Sequence, residues 1–228
     1  MKRVVRLYGT SVGKKIAMAS TGVVLILFVI VHMIGNLKVY QGPERLNAYA
    51  EFLREAGAPA LGRGEVLWIA RFVLLACVLI HITAAIQLAR RSRAARPVGY
   101  ERVPHEELTY ASRTMRWGGI IIFLFVVYHL LHFTTGTVHP DFVPGDVYHN
   151  MVVGFQSWPA SVAYMLAMLA LGLHLYHGIW SMTQTLGVNH PRWNRLRRPI
   201  AAVIAGAVVL GNLSFPVSVL AGWVTLAG

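Results

Sequence analysis

The sequence predicts an all-α, polytopic membrane protein: a single membrane domain over residues 1–228, built from five transmembrane helices. Three observations predict it. Hydrophobic residues make up 56% of the chain and charged residues 13%, which leaves too little polar surface for a water-soluble fold. Five apolar stretches recur at short spacing, each of the roughly 20 residues that a bilayer crossing needs. Most of the 21 Lys and Arg residues flank those stretches on alternate sides.

The first span is Ile16–Leu37, behind the basic start MKRVVRLYGTSVGKK. It is too long for the apolar core of a signal peptide and has no small-residue cleavage pattern at its end, so it is expected to be retained. Between it and the second span, Pro43 followed by Glu44, Leu46, Tyr49, Phe52 and Leu53 predicts a short amphipathic helix on the membrane surface. The second and third spans are Val66–Ala89 and Trp117–Val138. The connection Arg90–Arg116 is basic at both ends with Glu101, Glu106 and Glu107 between, suited to a partner or to anionic headgroups. The fourth span is Ala160–Leu186 and the fifth Ile200–Leu226, where Pro216 predicts a kink. Neither the loop Thr134–Pro159 nor the C-terminal span contains Lys or Arg. The positive-inside bias therefore puts the N-terminus in the cytoplasm and the C-terminus outside.

The formal net charge of +12 does not indicate nucleic acid, because the basic residues border apolar spans and form no folded basic face. Cys77 is the single cysteine, which excludes an internal disulfide and any Cys-ligated zinc or iron–sulfur centre.

Four of the five spans contain histidine: His32, His81, the pair His129 and His132, and the pair His174 and His177. Imidazole is costly in hydrocarbon and needs a partner there. Counting back from the span ends at about 1.5 Å per residue separates these histidines into two layers. His32 with His129 or His132 falls in the outer half, and His81 with His174 or His177 in the inner half. Two facing imidazoles suit a six-coordinate haem iron that passes electrons and binds no oxygen. The predicted architecture is thus a five-helix bundle around two stacked b-type haems. Depth alone slightly favours His132 and His177 over their neighbours. Gly22, Gly35, Gly118, Gly119, Gly172 and Gly178 offer close approach to a porphyrin face or, equally, helix–helix packing. His105, His139, His149 and His190 fall in loops or at their ends.

At these residues the chain resembles the cytochrome b subunit of succinate dehydrogenase and fumarate reductase, of the single-chain, five-helix, two-haem type. The resemblance rests on Arg6 to Gly22 leading into the helix of His32, on the helix of His81, and on Phe125-Val126-Val127-Tyr128-His129. It rests most on His174-Leu175-Tyr176-His177-Gly178-Ile179-Trp180-Ser181 followed by Gly187. The resemblance implies His32 with His129 as ligands of an outer haem iron and His81 with His174 as ligands of an inner one. His132 and His177 then become neighbours of the haems, and Arg113 and Arg116 candidates for propionate contacts. It also implies a quinone (menaquinone or ubiquinone) as membrane substrate, with Glu51 or Glu55 as candidates for proton exchange.

The implied partners are a flavoprotein and an iron–sulfur subunit docked on the inner face of the cytoplasmic membrane, besides lipid. The chain itself carries no recognisable dinucleotide, flavin or dicarboxylate motif. Two other readings stand beside this one. The first is a two-haem subunit of a nitrate reductase or hydrogenase. The second is a haem-free transporter or structural anchor whose histidines relay protons or pack.

Overall fold

A computed structural model describes residues 7–95, 110–188 and 190–226, without the side chains of 110–113. All the described elements are helical: α1 (Ser11–Asn36), α2 (Pro43–Glu55), α3 (Glu65–Ala94), α4 (Tyr110–His129), α5 (Val147–Gln156), α6 (Trp158–Thr185), α7 (Pro191–Asn194) and α8 (Arg197–Leu220). Five helices are long and apolar enough to span a bilayer: Ser11–Gln41, Glu65–Ala94, Thr114–Thr134, Trp158–Thr185 and Arg197–Leu220. Large apolar side chains point outward from them, among them Phe72, Leu124, Leu166, Val203 and Leu210, each more than 60% exposed. Such a surface is stable only against lipid, and the chain is a multi-pass membrane protein.

The spans lie where hydropathy puts them, but their ends are set by caps. Thr10 starts α1 five residues ahead of Ile16, its hydroxyl accepting from the Gly13 amide at 3.0 Å. At α6, Pro159 occupies the first turn, where its missing amide hydrogen is no loss. That helix ends at Thr185: Gly187 turns left-handed (φ +75°), with the Val188 amide donating to the Thr183 carbonyl. α8 stops at Leu220, short of Leu226, by the same device. Gly222 has φ +74°, and the Trp223 amide donates to the Ser218 carbonyl at 2.9 Å. Pro216 lies inside α8 without ending it. The α-helical part of α4 ends at His129, and one π-helical turn follows over Leu130–Thr134, where the Thr135 amide reaches back five residues to the Leu130 carbonyl.

α6 is the central helix, packed along α4 on one side and α8 on the other, while α3 lies along α1. α1 closes the bundle by touching both α6 and α8. Two short helices cover one end of it, here termed the capped face. The amphipathic segment forms as expected, as α2, and buries Leu46. α5, which falls in a stretch read from sequence as an outer loop, inserts Met151, Val152 and Phe155 into a core with Leu46, Tyr164 and Phe215. Asp146 holds the two short helices together. Its carboxylate accepts from the His149 amide, capping α5, and from the Asn47 side-chain amide of α2, each at 2.9 Å.

At the opposite end Lys14 of α1 donates to Gln87 of α3 at 2.6 Å, and Arg91 reaches the Gly9 carbonyl at 2.8 Å. Most of the connection between α3 and α4, with Glu101, Glu106 and Glu107, lies outside the described residues.

Loss of the Asp146 cap in Asp146→Ala is expected to cost about 1 kcal/mol. Asp146→Asn, which keeps an acceptor, should recover most of it. Thermal unfolding in detergent micelles, followed by helical signal, measures both.

Candidate functional site

Near the capped face, His32 and His129 face each other across the bundle with ring centroids 5.9 Å apart and planes at 89°. Phe28, one turn before His32, stacks on its ring at 5.3 Å. The Nδ1 atom of His129 lies 3.2 Å from the Tyr164 hydroxyl of α6. That same hydroxyl lies 3.1 Å from Nδ1 of His132. His132 is 1% exposed and is enclosed by the rings of Tyr128, Phe133, His139 and Tyr164, with centroids at 4.3 to 5.6 Å. Its place depends on Gly154 of α5, where a Cβ would sit about 3 Å from both the His132 and Phe133 rings.

The second pair lies deeper toward the other end. His81 of α3 and His174 of α6 have centroids 6.3 Å apart at 56°. Nδ1 of His81 lies 3.0 Å from the Met18 carbonyl of α1 and 3.3 Å from the Thr21 hydroxyl. A carbonyl only accepts, so Nδ1 carries the hydrogen and Nε2 is left bare. Nδ1 of His174 and of His177 are both buried without a hydrogen-bond partner among the described residues. The His177 ring meets Trp180 edge-on at 5.7 Å. Thr21 and His32 are eleven residues apart on one helix, so the two layers are separated by about 16 Å along α1.

Each pair bridges helices that share no extended interface among the described residues. The long interfaces are α1 with α3, α4 with α6, and α6 with α8, whereas the histidines join α1 to α4 and α3 to α6. An ion held at about 2 Å by one nitrogen from each of two imidazoles sets their ring centroids about 6 Å apart. Both pairs are at that spacing. Among the described residues no three His, Cys, Asp or Glu side chains gather around one point. Two facing imidazoles per layer suit a metal that brings its other four donors with it, and haem does so. The glycines divide between the two roles. A Cβ at Gly172 would strike Val209 and one at Gly35 would strike Tyr49, both close-packing positions, whereas Gly119 and Gly178 face open space.

The remaining candidates lie apart from the pairs. Glu51 is ion-paired to Arg63 and, at 3.2 Å, to Arg54. The Arg63 guanidinium first, then that of Arg54, holds its carboxyl below the usual range against a smaller opposing effect of desolvation. Glu55 is exposed at the end of α2. A cavity of about 370 Å³ opens between α1 and α2, lined by Val31, Ile34, Gly35, Lys38, Gln41 and Tyr49 among others, and neither glutamate lines it. Arg116 is exposed near the start of α4. The side chain of Arg113 lies outside the described residues.

The family of succinate dehydrogenase/fumarate reductase transmembrane subunits matches residues 97–213. The chain belongs to this family. The matched segment contains His129 and His174, one member of each facing pair, while His32 and His81 precede it. Membership makes the chain a membrane subunit of an oxidoreductase complex. No curated protein and no solved structure matches it.

Sequence reasoning did not single out Tyr164, Met18 or Thr21, the groups that meet the histidine Nδ1 atoms. Tyr164 lies 35 residues from His129, and His81 lies 63 from Met18, so no local spacing announces these contacts. The α5 helix did leave a signal. Asp146 stands as a cap ahead of Val147, Met151, Val152 and Phe155, an apolar stripe at helical spacing.

Gly154→Ala is expected to force His132 and Phe133 aside and to destabilise the fold by about 1–3 kcal/mol, as overpacking does. Gly119→Ala, facing open space, should cost far less in the same thermal assay. A second expectation concerns pH. A carboxyl whose pKa is lower in the folded chain stabilises it above the unfolded value of about 4.3 and loses that contribution as pH falls through the folded value. The Arg63 tie to Glu51 should therefore hold at neutral pH and release in acid, below the value of an unfolded carboxyl. Hydrogen-exchange protection of residues 57–64 should drop there in the wild type, and Glu51→Gln should lack the step.

Proposed function

We propose that this chain is the membrane-anchor cytochrome b subunit of a succinate:quinone oxidoreductase. The observation that carries the reading is the two facing histidine pairs, at two depths, in a chain of the transmembrane-subunit family. His32 and His129 would hold the iron of one haem b, and His81 and His174 that of the other. When bound, the two six-coordinate haems supply one-electron transfer across the membrane, between an iron–sulfur subunit on one side and a quinone on the other.

The chain's own residues prepare those positions. Met18 fixes the tautomer of His81, so that its Nε2 is turned away from its own hydrogen-bond partner. Phe28 and Phe125 pack beside the rings of His32 and His129 and keep water from them. His132 and His177 serve as neighbours and not as ligands: His132 is enclosed by other rings, and the ring facing His81 is that of His174. Arg113 and Arg116 stand at the start of the span on which propionates of the inner haem would be met. Reaction with a quinone, menaquinone or ubiquinone, needs protons as well as electrons. Glu51, paired with Arg63 and Arg54, and Glu55 at the end of α2 are the candidates to exchange them.

The Lys and Arg bias orients the assembly. The basic ends of the spans face the cytoplasm, and the capped face with α2 and α5 lies outside the cytoplasmic membrane. The flavoprotein and iron–sulfur partners would dock on the inner face, supplying the dicarboxylate chemistry, while this chain serves as the quinone-reactive subunit. Fumarate reduction by quinol uses the same parts in reverse.

Purified with its partners, the wild type should show a reduced low-spin b-type spectrum that develops on adding succinate. His81→Ala or His174→Ala should each remove one haem and abolish most succinate-dependent reduction of the other, whereas His132→Ala should keep both. Two haems per chain in His81→Ala, or no b-type band in the wild type, would overturn the assignment.

A further inference from the structure

The Tyr164 hydroxyl touches two imidazoles, and that arrangement has only one self-consistent pattern of hydrogens if His129 binds iron. We propose that Tyr164 is a positioning residue for the capped-side pair: it accepts the Nδ1 hydrogen of His129 and donates its own to His132, which leaves Nε2 of His129 bare. The inference rests on the reading above that His129 is a haem ligand, and it goes further by assigning the group that orients it.

A phenol has one hydrogen to give and lone pairs to receive. Among the described residues its polar neighbours are Nδ1 of His129 at 3.2 Å and Nδ1 of His132 at 3.1 Å. Tyr164 is 6% exposed, and a buried hydroxyl spends its hydrogen on a neighbour. Donation to His129 would leave that imidazole with its hydrogen on Nε2, closed to a metal. Donation to His132 reverses this, since His129 must then donate from Nδ1. Iron ligation by His129 therefore requires acceptance by His132.

The neighbourhood supports this division of roles. His132 lies at 1% exposure in a shell of four rings, and the π-helical turn that carries it begins one residue after His129. Its burial, otherwise costly in a membrane span, is explained by the hydrogen it accepts. The deeper pair achieves the same end differently, since His81 gives its Nδ1 hydrogen to the Met18 carbonyl. A hydrogen bond from the remote nitrogen makes an imidazole a stronger donor to its metal and favours the oxidised iron. Tyr164 should thus hold the potential of the capped-side haem down and have no effect on the other.

The test is a redox titration, followed optically, of the purified full complex carrying Tyr164→Phe. The expected result is two haems retained, with the midpoint of the capped-side haem moved to a more positive value and that of the second unchanged. An unmoved midpoint in a variant with both haems overturns the proposal. Because Tyr164 also packs among several rings, the wild type is examined in parallel, by infrared redox-difference spectra of complex with ring-deuterated tyrosine. A tyrosine band should shift as the capped-side haem changes oxidation state, and the absence of such a band at that potential overturns the proposal even where the variant fails to assemble. A wild type without haem would instead defeat the parent reading, and its optical spectrum separates the two failures.

Discussion

An imidazole placed in hydrocarbon must be given a partner, and the interior of this bundle is organised by that requirement. Six histidines sit in membrane-spanning segments, where water is not available to satisfy their nitrogens. The chain meets the need in three ways. Backbone and hydroxyl groups of a neighbouring helix take one nitrogen, as Met18 and Thr21 do for His81. A shared phenol takes two, as Tyr164 does for His129 and His132. The third is a side-chain amide one turn along, as Asn36 is to Nε2 of His32 at 3.2 Å. Nδ1 of His174 and of His177 have no hydrogen-bond partner among the described residues.

Helix packing is arranged around the same need. Three antiparallel interfaces carry most of the packing, α6 against α4 and α8 and α1 against α3, and contacts of α1 with α6 and α8 join the two groups. Small residues allow the close approach where helices do pack: Gly172 admits Val209, and Gly211 admits Met33. The pairs of helices that the histidines join have no such interface. The capped-face core of Val152, Phe155, Tyr164 and Phe215 then fixes α4, α6 and α8 relative to one another at the level of His129.

Much of this was legible in the sequence, for identifiable reasons. Span number and the two histidine layers follow from hydropathy and from 1.5 Å per residue, both insensitive to errors of a few residues. The amphipathic α2 was legible from Pro43 and its apolar spacing. Helix ends were not, because Gly187 and Gly222 act through left-handed backbone while apolar residues continue past them, as Val224 and Leu226 do. Depth alone did not separate His129, which the family resemblance favoured, from His132. They differ by less than one turn in depth, and what separates them is the ring each one faces. That depends on Tyr164, Gly154 and a π-helical turn, none of which hydropathy registers. α5 was hidden by its position: an outer connection free of Lys and Arg reads as a loop even when Asp146 caps a helix inside it.

The two histidine layers are built from different materials, and this bears on how each can change. Around His81 the orienting group is a main-chain carbonyl, which no substitution removes and which moves only if α1 moves against α3. Around His129 it is a side-chain hydroxyl, that of Tyr164, which also meets His132 and packs among the rings of Phe125, Tyr128, Phe133 and Phe155. A single substitution can therefore retune the capped-side layer while the bundle stays intact, whereas the deeper layer is fixed by the packing of the helices themselves.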